Sequence, residues 1–115
     1  MMCAPIVLAA TAEAGEAKFE LGLPADLPCF EGHFPDLPVL AGVVQLDWVM
    51  RLAAAYLRCG QPAATDFRVK YKRVITPGLP LTLTLSHDAA RHRLDFIYRT
   101  GDHVASLGRV MLATP

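Results

Sequence analysis

Net charge is the first thing this sequence lacks. Eleven Lys and Arg stand against eleven Asp and Glu in 115 residues, and charged residues make up only 19% of the chain. A neutral chain is not a polycation seeking nucleic acid or an anionic membrane surface. Cysteine is scarce as well. Cys3, Cys29 and Cys59 are far apart, form no Cys-x-x-Cys pair and make no even framework, which suits a reducing cytoplasm. No apolar run approaches the ~20 residues of a membrane span. His33, His87, His92 and His103 show no ligand spacing, so no metal site is expected. A Gly-rich phosphate loop, a Ser nucleophile elbow, internal repeats and low-complexity segments are all absent. The N-terminus is apolar through Ala12, and Ala10-Thr11-Ala12 resembles a cleavage site. No Lys or Arg precedes it, however, and a signal peptide wants a positive n-region. The segment reads as a first strand.

What is abundant is apolar surface, 53% of the residues. The length fits one domain, 1–115, with one core. So small a domain has much surface for its volume, and the apolar excess points to a further buried face, most simply a subunit interface.

Taken in order, Ile6 to Thr11 is a strand and the Glu13–Glu16 segment with Gly15 a turn. Ala17 to Leu23 alternates as a half-buried strand. Pro24, Pro28, Pro35 and Pro38 forbid regular structure up to Leu40. Gly42 to Arg58 is the one long helix, with only Gln45, Asp47 and Arg51 polar between Val43 and Leu57, so it is expected to be buried on most sides. Gly60-Gln61-Pro62 is the expected stop. Thr65 to Ile75 alternates, with Phe67, Val69 and Tyr71 on one face and Arg68, Lys70 and Lys72 on the other. Leu79 to Ser86, Leu94 to Thr100 and His103 to Leu112 complete six strands. The order strand, strand, helix, four strands reads as α+β, one buried helix against an antiparallel sheet.

The chemistry concentrates between Phe30 and Trp48. A loop rich in Pro and Gly carries His33, Gly42 opens the helix, and Asp47 follows the His by fourteen residues. A His, a carboxylate and a helix N-terminus supply a base, an acid and hydrogen-bond donors. Long loops in compact domains are usually functional.

Gly32-His33-Phe34-Pro35, Pro38-Val39, Gly42-Val43 and Leu46-Asp47 at this spacing resemble the active-site segment of the 3-hydroxyacyl-[acyl carrier protein] dehydratases. Phe67 to Arg73 followed by Pro77-Gly78 is similar to that family's basic strand and turn, so the likeness covers almost the whole chain. Gln45-Leu46-Asp47-Trp48 resembles a small branch of dehydratase-like proteins associated with aryl-polyene pathways. The resemblance implies a hotdog fold, in which an antiparallel sheet wraps one long central helix and two chains pair. It implies His33 as catalytic base, Asp47 as the helix acid and Gly42 as the backbone donor that polarises the thioester carbonyl. Val39 would orient the His ring through its carbonyl, and Phe34, Val39 and Val43 would contact substrate. Arg68, Lys70, Lys72 and Arg73 would dock an acidic acyl carrier protein. In the family the His and the carboxylate of one site come from opposite subunits, so a homodimer is expected, a heterodimer with a homologue being the alternative. No cofactor is implied.

Three positions depart from the family: Asp36 stands where Gly is usual, Ala41 where Pro is, and Arg51 where Gln is. Asp tolerates left-handed backbone better than most residues. Arg51 bears directly on the acid, because four residues after Asp47 it lies within ion-pair reach. The expectation is that Arg51 points away and leaves Asp47 in apolar surroundings. Two other functions compete. A hotdog thioesterase would use a carboxylate to activate water. A non-catalytic subunit would pair with an active homologue, with Arg51 marking lost chemistry.

Overall fold

A computed structural model describes residues 3–30, 38–59 and 62–113. Strand β1 (Ile6–Glu13) and β2 (Glu16–Gly22) form a hairpin, a single helical turn follows at Pro28–Phe30, and helix α1 runs Gly42–Tyr56. Four strands complete the chain: β3 (Pro62–Tyr71), β4 (Leu81–Asp88), β5 (Arg93–Thr100) and β6 (His103–Leu112). All pair antiparallel in one sheet of order β1-β2-β4-β5-β6-β3. This is the expected α+β hotdog arrangement.

The sheet forms where alternation demands it. Ala17, Phe19 and Leu21 on β2, Leu81, Leu83 and Leu85 on β4, and Leu94, Phe96 and Tyr98 on β5 are buried, while residues between them are at least partly open. Successive strand side chains point to opposite faces, so one period-two pattern makes one buried face. The β1–β2 turn is the two residues Ala14 and Gly15, at φ 51 and 81. Two consecutive positive φ values match the twist of a tight hairpin.

Helix α1 lies on that buried face. Val44, Gln45, Trp48, Val49, Leu52 and Ala53 are buried. Their spacing is one stripe of a 3.6-residue helix. The expectation of burial on most sides is corrected here. Val43 and Ala54 are exposed and Leu46 and Met50 only partly covered, so the single chain buries one side of α1. Phe19 of β2 meets Tyr56 edge-on at 4.8 Å between ring centres.

Two boundaries also differ from the sequence reading. The helix stops at Tyr56 because Arg58 turns to φ 54, and Leu57 and Cys59 both donate their N–H to the Ala53 carbonyl. Strand β3 ends at Tyr71 because the N–H groups of Lys72 and Arg73 converge on the one carbonyl of Ala105, at 2.8 and 3.0 Å. The chain then leaves the sheet, and buried Ile75 accepts a bond from Leu40 N–H. A disulfide joins Cys3 to Cys29, their Cα atoms 5.6 Å apart, within the span such a bond needs. Sequence spacing gave no sign of that contact. It ties the N-terminus down beside the Trp48 indole, which donates to the Cys3 carbonyl at 2.7 Å.

Candidate active site

The site grows from the start of α1. Ala41 caps the helix in an extended conformation, φ −61 and ψ 146, and has no side chain to bond the first turn. Its carbonyl takes the N–H groups of Val44 and Gln45 at 3.0 and 3.1 Å. The N–H groups of Gly42 and Val43, ahead of those two, have no backbone acceptor among the described residues. A Ser, Thr or Asp cap would have claimed one of these donors. Without it, and among the described residues, they stay open at the positive end of the helix dipole.

A cleft of about 390 Å³ opens there. Val39, Leu40, Ala41, Gly42 and Gln45 make one wall, and Tyr71, Lys72, Arg73 and Val74 the other. The Tyr71 phenol lies so close that a Cβ on Gly42 would sit 2.5 Å from its oxygen. Gly42 is therefore needed for a second reason besides close approach of a ligand: the ring of β3 occupies the space a side chain would fill. Burial pushes the Tyr71 phenol above its ordinary value, so it is a neutral hydroxyl donor at physiological pH.

Asp47 lies further along the same helix and does not line this cleft. The expectation that Arg51 points away is overturned. Arg51 Nε donates to Asp47 Oδ2 at 2.8 Å, with the Arg side chain 50% and the Asp 25% exposed. The reason is helical geometry with no competitor: positions i and i+4 meet on one face, and no other cation forms a salt bridge with Asp47 among the described residues. A carboxylate that keeps this contact accepts hydrogen bonds. To give a proton it must first part from the guanidinium.

The other expected residues fall as follows. His33 and Phe34 lie outside the described residues. Val39 lines the cleft, whereas Val43 is 62% exposed and does not. Arg68 and Lys70 lie in a groove with Asp95, Ile97, Leu107 and Arg109, apart from Lys72 and Arg73 at the cleft. The four basic residues are thus split into two pairs by the end of β3. Among the described residues no three His, Cys, Asp or Glu gather as a metal cluster. Burial pushes the Cys59 thiol up, which makes it a poor nucleophile. No helix among the described residues is long and apolar enough to cross a membrane.

Sequence reasoning missed two contributors. Tyr71 read as one of three apolar residues sharing a strand face; its contact with Gly42 was not legible. The other is a buried polar cluster behind the cleft. Gln45 Nε2 donates to the Leu40 carbonyl at 2.9 Å, Ser106 Oγ donates to Gln45 Oε1 at 2.7 Å, and the Tyr98 hydroxyl donates to the Gln45 carbonyl at 2.7 Å. Burial first, then the Asp47 charge and Tyr71, push the Tyr98 phenol well above its ordinary value. A lone Gln in an apolar helix was the available signal.

Known proteins share this arrangement. The family model described as ApeI-like, ApeI dehydratase, matches residues 9–109. A chain of the dehydratase heterocomplex ApeI:P from Xenorhabdus doucetiae superposes with a TM-score of 0.89 at 36% identity, covering 97% of this chain and 100% of that one. An uncharacterized protein from Erwinia carotovora subsp. atroseptica gives 0.80 at 31% identity, covering 96% and 97%. The 3-hydroxyacyl-[acyl-carrier-protein] dehydratase FabZ of Caldanaerobacter subterraneus is 27% identical over 113 residues, 86% of this chain and 79% of that protein. A sheet of this order around one helix, a helix start left open at a cleft, and a match over most of the length agree: the chain belongs to the ApeI-like dehydratase family.

Proposed function

We propose that the protein is a dehydratase that converts 3-hydroxyacyl-[acyl carrier protein] to the trans-2-enoyl form, in fatty acid or polyene synthesis. The observation that carries this reading is Gly42 at the cleft with no backbone acceptor for its N–H among the described residues, in a family of dehydratases. His33 takes the C2 proton, and the electrons move toward the thioester oxygen. Gly42 N–H stabilises the negative charge there. Electrons returning from the enolate form the C2–C3 double bond, and the C3–O bond breaks as Asp47 gives its proton to the departing hydroxyl, which leaves as water. Phe34, Val39 and Val43 line the acyl path. Arg68, Lys70, Lys72 and Arg73, all exposed, attract the acidic carrier. The chain works as a dimer, which would cover the open side of α1 and pair the free edge of β3. It acts in the cytoplasm, although the Cys3–Cys29 disulfide runs against the reducing compartment that the scarce, scattered cysteines suggested.

A second reading has support of its own. Asp47 is held by Arg51, and the ApeI:P relative is a heterocomplex. The chain would then be the supporting half of a pair, with a homologue supplying the acid. Incubating the purified protein with a 3-hydroxyacyl carrier protein separates these readings. Enoyl product by mass, lost in His33→Ala, supports the dehydratase. Free thiol release indicates a thioesterase. Activity only when a homologue is added indicates the supporting subunit.

A further inference from the structure

Gln45 is costly where it stands. It is 4% exposed within an apolar core, and a buried amide without partners destabilises a fold by several kcal/mol in an apolar medium. Leucine or isoleucine would fill the space without that cost. The amide is instead engaged at both ends, and its orientation is fixed by chemistry: the Leu40 carbonyl can only accept, so the NH₂ faces it and the oxygen faces Ser106. Ser106 is 0% exposed, and the Tyr98 hydroxyl closes the cluster on the Gln45 carbonyl. Strands β5 and β6 are thereby tied to the first turn of α1 and to the loop before it.

The atom that Gln45 holds matters most. Leu40 sits between Val39 and Gly42. Its N–H is fixed to the Ile75 carbonyl at 2.8 Å and its carbonyl to Gln45 at 2.9 Å, so both of its peptide planes are locked. The second of those planes leads directly into Ala41, whose carbonyl receives the Gln45 N–H. The Gly42 N–H shares a peptide plane with the Ala41 carbonyl, so the bonds that Val44 and Gln45 donate to that carbonyl and the anchor at Leu40 set its direction together, with no side-chain cap at Ala41 to add to them.

We infer that Gln45, braced by Ser106 and Tyr98, is a positioning residue that aims the Gly42 N–H into the cleft and holds Val39 in register with it. This rests on the dehydratase reading for its kinetic consequence but not for its structural one. Gln45 lines the back of the cleft but is only 4% exposed, with both ends of its amide bonded to protein. It acts through Leu40, converting a buried hydrogen-bond network into directional precision at a donor, where a displacement of about 1 Å can cost a hundredfold in rate.

The test uses the full chain with Gln45→Met, which keeps the length and loses the bonds, and Ser106→Ala, which leaves Gln45 in place without its brace. Both are read by steady-state kinetics with a 3-hydroxyacyl carrier protein and by the Gly42 amide resonance in a ¹⁵N-labelled sample. Gln45→Met should lower kcat about tenfold with KM within about twofold and the pH profile unchanged, and Ser106→Ala should lower kcat about threefold. The Gly42 resonance should shift in both. A merely structural role would lower the melting temperature and leave kcat per folded molecule and the Gly42 resonance unchanged, and that result overturns the proposal. If Gln45→Met does not fold, Ser106→Ala decides alone. If the unmodified protein shows no dehydration, the dehydratase reading fails, and an unmoved Gly42 resonance in the variants overturns the positioning role separately.

Discussion

Gln45 and Asp47 stand two positions apart on one apolar helix and meet opposite fates. Two steps of a 3.6-residue helix rotate a side chain by roughly 200°. Gln45 therefore faces the sheet, where Leu40, Ser106 and Tyr98 engage both its side chain and its backbone. Asp47 faces the rim, where its salt bridge is to Arg51, a residue of its own helix that is half open to water. The buried group is held by tertiary structure from three directions. Among the described residues the rim group is held by one local contact, which solvent screens. Rigidity belongs to Gln45, the proposed positioning residue, and freedom to Asp47, the proposed acid.

The largest expected effect lies on the rim side. Asp47→Asn should reduce dehydration by about 10²–10⁴-fold, the usual contribution of a general acid. It should change stability by less than about 1 kcal/mol, since an exposed pair is worth little. A large loss of stability by denaturant titration would show that Asp47 is structural and break the comparison.

Gly42→Ala comes next. The new methyl meets the end of the Tyr71 ring, which is half exposed and can swing away. Ala favours helix over Gly, so stability should hold, while the displaced phenol reshapes the cleft and lowers kcat about tenfold. Pairing it with Tyr71→Ala should recover part of that loss if the ring is the cause.

Tyr98→Phe probes the buried side. It removes one hydroxyl from a carbonyl that keeps its helical bond, costing about 1 kcal/mol. Its signature is alkaline. The Tyr98 phenol is held well above its ordinary value of 10.0, so the unfolded chain loses that proton first. The stability this provides is complete below the unfolded value and is lost as pH rises beyond it toward the folded one. Unfolding monitored above pH 10 should therefore be less steep in pH for Tyr98→Phe than for the parent protein.

The smallest effect sharpens the rim side. Arg51→Gln frees the Asp47 carboxyl. An exposed i,i+4 pair is worth about 0.3–0.5 kcal/mol, so the rate at neutral pH should rise about twofold. A rise of tenfold would mean that the pair is drier in the working assembly than in the single chain.

The sequence by itself determined the strands, the helix and their order, because alternation and a 3.6-residue period are local signals. It also brought Gly42 and Asp47 onto one helix, and it made the Asp47–Arg51 pair available, since four residues of helix suffice to bring the groups together. It could not say that the pair forms, because i,i+4 reach permits contact without requiring it. Only the tertiary structure decided that Gln45 is a hub and not a stray polar residue. Two of its three partners lie 53 and 61 residues away, and no local pattern reports on them. The same holds for Tyr71 against Gly42 and for Cys3 against Cys29. These contacts join segments far apart in the sequence, which meet only when helix, strands and loops pack together.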